Sequence, residues 1–238
     1  MAKIPSFCVV LPMYNERPNA APSIRRLTAF LDKVPTRTAI IAVDDGSTDG
    51  TLAELRRLES VIPNLIVEAR PQNGGYGAAN RTGFAATLRK GFEYAVVMDA
   101  DGTQDPAYLE GFFAPMQAGI DFIKATRYRS GGRVVGVDWR RYMVSWVGNR
   151  LARIALRCNL TDYTNGFRAI RSSLLARLDT RETSFVVLLE EIRLARKLRA
   201  SFAEAPYTLT VRDEGESASK FSYSWSVYLS YLKYLFSR

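Results

Sequence analysis

Apolar residues along the chain come in short runs that end abruptly in polar, glycine-rich stretches. Ser6–Leu11, Thr38–Val43, Leu65–Ala69 and Ala95–Met98 are short, β-prone and bounded by turn formers, which predicts four buried strands. Between them lie helical patterns: from just after Glu16 to about Lys33, Leu52–Leu58 with a charged outer face, and Ala78–Lys90. Strand, polar loop and helix, repeated, predict an α/β fold with a mostly parallel central sheet flanked by helices. The loops that follow the strands then gather along one sheet edge, where open α/β sheets place their ligands. Further on, Ser145–Arg157 and Phe185–Leu198 read as helices.

The polar stretches hold the candidate chemistry. The fourth strand ends in Asp99-Ala100-Asp101-Gly102-Thr103-Gln104-Asp105-Pro106. Two carboxylates one residue apart repel each other unless a cation sits between them, and oxygen-only ligands suit Mg²⁺ or Mn²⁺ together with substrate phosphates. The same stretch also reads as a polar turn in which Asp105 caps a helix that begins at Pro106, which leaves Asp99 and Asp101 unexplained. After the second strand comes Asp44-Asp45-Gly46-Ser47-Thr48-Asp49-Gly50-Thr51, in part a helix cap, whose adjacent acids could accept from base N–H groups or ribose hydroxyls. Asn73–Gly77 carries three glycines and predicts close approach of backbone to a ligand or to a neighbouring segment. It is neither a Walker loop nor a dinucleotide fingerprint.

Composition narrows the choices. The 238 residues contain no histidine, which removes Ser-His-Asp and Cys-His schemes and makes zinc a poor fit. The two cysteines, Cys8 and Cys158, suggest no disulfide framework, and no apolar run approaches the ~20 residues of a membrane span. With no signal-peptide pattern, a cytoplasmic location is expected. A net charge of +9 directs the chain toward anions, and arginine suits bidentate phosphate recognition.

Taken in order, Pro12-Met13-Tyr14-Asn15-Glu16, Val43-Asp44-Asp45-Gly46-Ser47 with Asp49-Gly50-Thr51, Asn73-x-Gly75-x-Gly77 and Asp99-Ala100-Asp101 resemble the motif set of family 2 glycosyltransferases, which have the Rossmann-like GT-A fold. Thr126-Arg127-Tyr128 with Gly131-Gly132, Trp139-Arg140-Arg141, Asn165-Gly166-Phe167-Arg168, and Arg212-x-x-Gly215-x-Ser217 followed by Lys220 resemble a narrower branch, the dolichyl- and polyprenyl-phosphate sugar synthases. The likeness spans nearly the whole chain. It departs at Asn165, where relatives often have Ser, at Ala218-Ser219, which separate Lys220 from its motif, and at Gln104, one residue later than usual.

The resemblance implies a GT-A catalytic domain over residues 1–220, with a nucleotide-sugar half (1–105) and an acceptor half (106–220), and an aromatic interfacial segment over 221–238. It implies a nucleoside-diphosphate sugar donor (GDP-mannose or a UDP-sugar) held by Pro12, Tyr14, Glu16 and Asp45, with Asp44 the alternative to Asp45 and with Gly75 and Ala100 at the same site. Asp101, helped by Asp99 and Gln104, would hold Mg²⁺ or Mn²⁺; Arg127 and Arg141 join Asp101 at the reaction centre, and Arg168, Arg212, Ser217 and Lys220 meet the acceptor phosphate. A phosphate monoester has a second pKa near ~6, so it needs little deprotonation to attack, which suits a chain without His.

Two segments suggest a membrane surface. On the Ser145–Arg157 helix Val147, Leu151 and Ile154 make a stripe with Trp146 beside it, while Arg150, Arg153 and Arg157 repeat at helical spacing, and the 221–238 tail is dense in Tyr, Trp and Phe. The expected partners are the donor, a polyprenyl-phosphate lipid and a membrane surface met peripherally, with an oligomer or a membrane subunit left open. The acids along the strand ends argue against nucleic acid. The rival enzyme is a family 2 transferase acting on a hydroxyl, with Glu190 or Glu191 as base.

Overall fold

The computed structural model describes residues 3–136, 139–209 and 225–236. Strands β1 (Phe7–Met13), β2 (Thr38–Asp44), β3 (Leu65–Ala69) and β4 (Tyr94–Val97) alternate with helices α1 (Arg17–Leu31), α2 (Thr51–Glu59) and α3 (Tyr76–Arg89), as the hydrophobic pattern predicts. Asp105 accepts the Ala107 N–H at 2.8 Å and caps a 3₁₀ turn, Pro106–Leu109, that runs into α4 (Glu110–Gln117). There follow β5 (Phe122–Thr126), β6 (Arg133–Val134), α5 (Trp139–Leu156), β7 (Arg168–Arg171), α6 (Ser172–Leu175), α7 (Val187–Lys197), β8 (Phe202–Pro206), β9 (Thr208–Leu209) and α8 (Trp225–Phe236).

Seven strands form one sheet in the order β3-β2-β1-β4-β7-β5-β8, and β6 pairs with β9 separately. All neighbours in the large sheet are parallel except β7, which runs antiparallel between β4 and β5. That reversal brings the start of β7 to the edge where β4 and β5 end, with Arg168 opposite both Val97 and Lys124. Strands from the 106–220 stretch therefore continue the sheet begun by residues 1–105.

Period-two alternation divides the core into two layers. Phe7, Val9 and Leu11 of β1 face Ile24 and Leu27 of α1, Leu55 of α2 and Phe112 of α4, while Cys8 and Val10 face Ala79 and Phe84 of α3, Ala152 of α5 and Ile192 of α7. Gly83 lies where α3 crosses β1: a Cβ there would stand 2.3 Å from Val10. Both cysteines are buried and unbonded to each other. Helix α8 adds Tyr231 and Leu235 to the second layer. Among the described residues no helix is long and apolar enough to cross a membrane.

Candidate active site

The loops after β1, β2 and β4 and the approach to β7 converge on one sheet edge. The first two are joined by hydrogen bonds between backbone and short polar side chains: Asn15 N–H to Ser47 Oγ (2.9 Å), Glu16 N–H to Thr51 Oγ1 (2.9 Å), Arg17 N–H to Asp49 Oδ2 (3.1 Å) and Thr48 N–H to Asn15 Oδ1 (2.8 Å). Tyr14 and Pro12 are half-buried beside this seam, and the buried Glu16 accepts from Asn19 at 2.7 Å. The seam fixes the floor on which the resemblance sets the nucleotide.

The paired acids after β2 separate in role. Asp45 is buried and its carboxylate is filled: Arg70 Nε donates at 2.6 Å, Gly75 N–H at 2.8 Å and Gly74 N–H at 3.1 Å. It therefore anchors the glycine loop. Asp44 is equally buried, yet its Oδ1 has no partner among the described residues, while Oδ2 takes only the Ser47 N–H at 3.2 Å. A buried acceptor left empty is costly unless a ligand or water fills it.

The glycine loop closes on protein. Gly75, at φ +86°, would place a Cβ 2.6 Å from the Thr183 carbonyl oxygen, and a Cβ at Gly77 would clash with that of Glu182. Gly77 N–H donates to Thr183 O at 2.8 Å. The glycines let the loop abut the segment before α7.

At the end of β4, Gln104 braces Asp99: its Oε1 accepts the Asp99 N–H at 2.9 Å and its Nε2 donates to Asp99 Oδ2 at 2.7 Å. Asp101 Oδ1 takes the Thr103 N–H and hydroxyl at 3.1 and 2.7 Å, and the Ala100 carbonyl accepts from Ser23 Oγ of α1 at 2.6 Å. Gly166 lies against the Asp99 carboxylate, since a Cβ there would be 3.1 Å from Oδ1 and 2.7 Å from the Tyr76 hydroxyl. Burial, then the charge of Asp99, push the Tyr76 phenol well above its ordinary pKa. Among the described residues no cluster of three or more acids, histidines or cysteines encloses a metal. Two carboxylates on an all-oxygen loop do fit Mg²⁺ or Mn²⁺ completed by a diphosphate. Gln104 orients Asp99, with both amide atoms engaged in doing so.

The arginines divide as well. Arg168, expected at the acceptor phosphate, lies wholly inside: Nη2 donates to Glu191 Oε1 at 2.6 Å, Nε to Glu191 Oε2, and Nη1 to Gly166 O at 2.7 Å. Nε and Nη2 hold β7 to α7, and the side chain is fully buried. Arg127 is gripped by Asp162 through Nε (2.7 Å) and Nη2 (2.9 Å), and Nη2 also lies 3.5 Å from Ser145 Oγ of α5. Its Nη1 has no partner among the described residues. Arg141 falls in the first turn of α5 with its side chain outside the described residues, and Arg212, Ser217 and Lys220 lie outside them altogether.

Glu190 and Glu191, the candidate bases, are occupied. Glu190 takes the N–H groups of Arg181 (3.0 Å) and Glu182 (2.9 Å), and Glu191 is the partner of Arg168. Sequence reasoning missed Lys124, fully buried on β5 and donating to the Asn165 carbonyl, whose pKa is lowered to about 7 by burial and by Arg168. It also missed Asp162, 35 residues from the arginine it holds. A lysine inside an apolar strand was the available signal for the first.

The sheet order and the acid-bearing edge define an α/β glycosyltransferase fold of the GT-A type. The model of the Glycosyl transferase family 2 matches residues 8–179, and the chain belongs to that family. It is 35% identical over 213 residues to a polyprenol monophosphomannose synthase of Mycolicibacterium smegmatis, covering 88% of this chain and 79% of the relative. It is 34% identical over 215 residues to an undecaprenyl-phosphate mannosyltransferase of Micrococcus luteus, covering 87% and 85%. Among solved structures, glucosyl-3-phosphoglycerate synthase from Mycobacterium tuberculosis, in complex with Mn²⁺, UDP and phosphoglyceric acid, superposes with a TM-score of 0.66 at 22% identity, over 89% of this chain and 72% of that one. The same enzyme with Mg²⁺ and UDP gives 0.65 at 23%. At that identity the likeness is one of fold.

Proposed function

We propose that the protein transfers a sugar, mannose in the first instance, from its nucleoside diphosphate to the phosphate of a polyprenyl phosphate, with inversion, at a membrane surface. The carrying observation is that neither carboxylate available as a base, Glu190 or Glu191, is at liberty to serve as one. A hydroxyl acceptor needs a base, whereas a phosphate already dianionic near neutral pH does not. The names of the two relatives agree with that choice.

In this reading Asp44 Oδ1 accepts from the base or ribose of the donor, and the Tyr14–Glu16 seam supports the nucleoside. Asp101 and Asp99 would hold a divalent ion, which when bound supplies Lewis-acid stabilisation of the departing diphosphate. Gln104 keeps Asp99 turned toward that position. Arg127 offers Nη1 to the acceptor phosphate while Asp162 fixes its plane, so the guanidinium is set before substrate arrives. Arg141, Arg212, Ser217 and Lys220 remain candidates for the same phosphate.

The test is a donor screen, GDP-mannose and UDP-sugars, against undecaprenyl phosphate in detergent with and without Mn²⁺. A metal-dependent glycolipid product is expected. No transfer from any donor under either condition would sink the reading.

A further inference from the structure

Among the described residues four tyrosines are buried: Tyr94, Tyr163, Tyr207 and Tyr231. A buried phenol normally gives its O–H to a partner, since leaving the group empty forfeits its hydration. Three of the four do so: Tyr94 donates to the Ile120 carbonyl at 2.9 Å, Tyr163 to that of Cys158 and Tyr231 to that of Phe185 at 3.1 Å. The Tyr207 hydroxyl meets no donor or acceptor among the described residues, although only 1% of the residue is exposed.

Everything about Tyr207 except that hydroxyl is fixed by the fold. Strand β8 ends at Pro206, opposite Thr126 of β5, so Tyr207 comes level with Arg127. The Tyr207 N–H donates to Thr126 O at 3.0 Å, and its carbonyl accepts from Arg133 N–H at 3.1 Å. The ring stands edge-on to Phe167, 5.7 Å away between centres, and to Tyr108, 5.8 Å away, in the core layer that holds Phe112. Phe167 follows Gly166, which abuts Asp99, and Tyr108 belongs to the turn that Asp105 caps. Burial raises the Tyr207 phenol well above its ordinary pKa, and the charges of Arg127, Asp162 and Asp99 also act on it. The hydroxyl therefore keeps its proton and can donate it.

We propose that Tyr207 is a further substrate contact of the transfer reaction, its hydroxyl and Arg127 Nη1 together receiving the acceptor phosphate. Both are donors without a partner among the described residues, they follow neighbouring strands, and each acts electrostatically on the other. Asp162 is already taken by Arg127 through Nε, Nη2 and the N–H, and by the Asn165 N–H at 3.3 Å. Two donors without an acceptor call for an oxyanion with more than one oxygen, which a phosphate supplies and a lone hydroxyl does not. Being neutral, the phenol adds a donor without the repulsion that a second cation beside Arg127 would bring. The inference rests on the phosphate-acceptor reading above.

Tyr207→Phe removes the oxygen alone and keeps the ring against Phe167 and Tyr108. Its thermal midpoint should match that of the wild type, because no bond within the fold is lost. Calorimetric binding of farnesyl phosphate, in the presence of the nucleoside diphosphate and Mn²⁺, should weaken about tenfold or more, while the nucleoside diphosphate itself binds as before. In transfer assays kcat/KM for the polyprenyl phosphate should fall by a similar factor at every pH from about 6 to 9, since a donor that does not titrate there changes the height of the profile and not its shape. Unchanged farnesyl phosphate affinity in the variant, or none in the wild type, overturns the proposal. So does a variant that loses affinity for the nucleoside diphosphate instead, or one whose thermal midpoint drops, which would place the hydroxyl's partner inside the fold. Farnesyl phosphate binding that depends on Tyr207, in an enzyme that transfers to no polyprenyl phosphate, would uphold the contact and sink the transfer reading instead.

Discussion

At the scale of single residues, Asp44 and Asp45 show how little adjacency says about role. Both are buried at the end of β2, but Asp45 has three donors and Asp44 Oδ1 has none. Asp44→Asn should leave thermal stability near wild type and weaken donor binding about tenfold, read by titration calorimetry with the nucleoside diphosphate. Asp45→Asn should do the reverse, lowering stability by about 1–3 kcal/mol in a denaturant titration, because an NH₂ then replaces one of the two oxygens that accept from Arg70 and the glycine-loop amides, and the charge opposite Arg70 is lost. Equal effects of the two changes on donor binding would undo the assignment. Gln104→Ala, which frees the Asp99 carboxylate to swing, should weaken metal-dependent donor binding about tenfold while the fold persists. An unchanged metal requirement would show that Asp99 needs no brace. The motif was legible from sequence, but the division of labour within it was not, because it depends on Arg70, Gly74 and Gly75 folding back some 25 to 30 residues later.

At the scale of elements, the parallel strands and their helices could be read from periodicity because each is a local pattern closed by turn residues. Strand β7 could not. It is four residues long, Arg168 to Arg171, begins and ends in charge, and runs antiparallel between two strands that are far away in sequence. Its opening arginine looks like a ligand-binding residue until Glu191 is found bonded to it from α7, 23 residues on. That pair is fully buried, so removing one partner strands a charge in the core. Arg168→Met or Glu191→Gln should each destabilise by about 3–5 kcal/mol in urea, whereas Arg168→Met/Glu191→Leu should recover most of the loss. If either single variant folded normally and lost only acceptor affinity, Arg168 would belong to the substrate after all.

At the scale of the whole molecule, an excess of positive charge faces outward, yet two cations, Lys124 of β5 and Arg168 of β7, are fully buried in the sheet. Lys124 feels the charges of Arg168 from β7, Glu191 from α7, Asp162 from the loop before β7 and Arg127 just after β5. The two arginines already neutralise the two acids, so a proton on Lys124 is surplus to the cluster. Burial first, then Arg168, lowers its pKa from 10.5 to about 7. Between those values the unfolded chain binds one more proton than the folded one, so stability must rise with pH. Below about 7 both forms are protonated and this lysine contributes no slope. The opposing groups are the two thiols: burial pushes Cys8 up to about 12 from 9.0 and raises Cys158 as well, so their contribution falls as pH climbs past 9. The clean window is therefore pH 7 to 8.5, where urea midpoints of the wild type should increase with a slope approaching ~1.4 kcal/mol per pH unit. Lys124→Met, close in length and without the charge, should flatten that slope and be more stable than wild type at neutral pH. A wild-type stability that stays level across the window, or falls, would mean that Lys124 keeps its proton inside the fold, and Asn165 O would then be accepting from a buried ammonium.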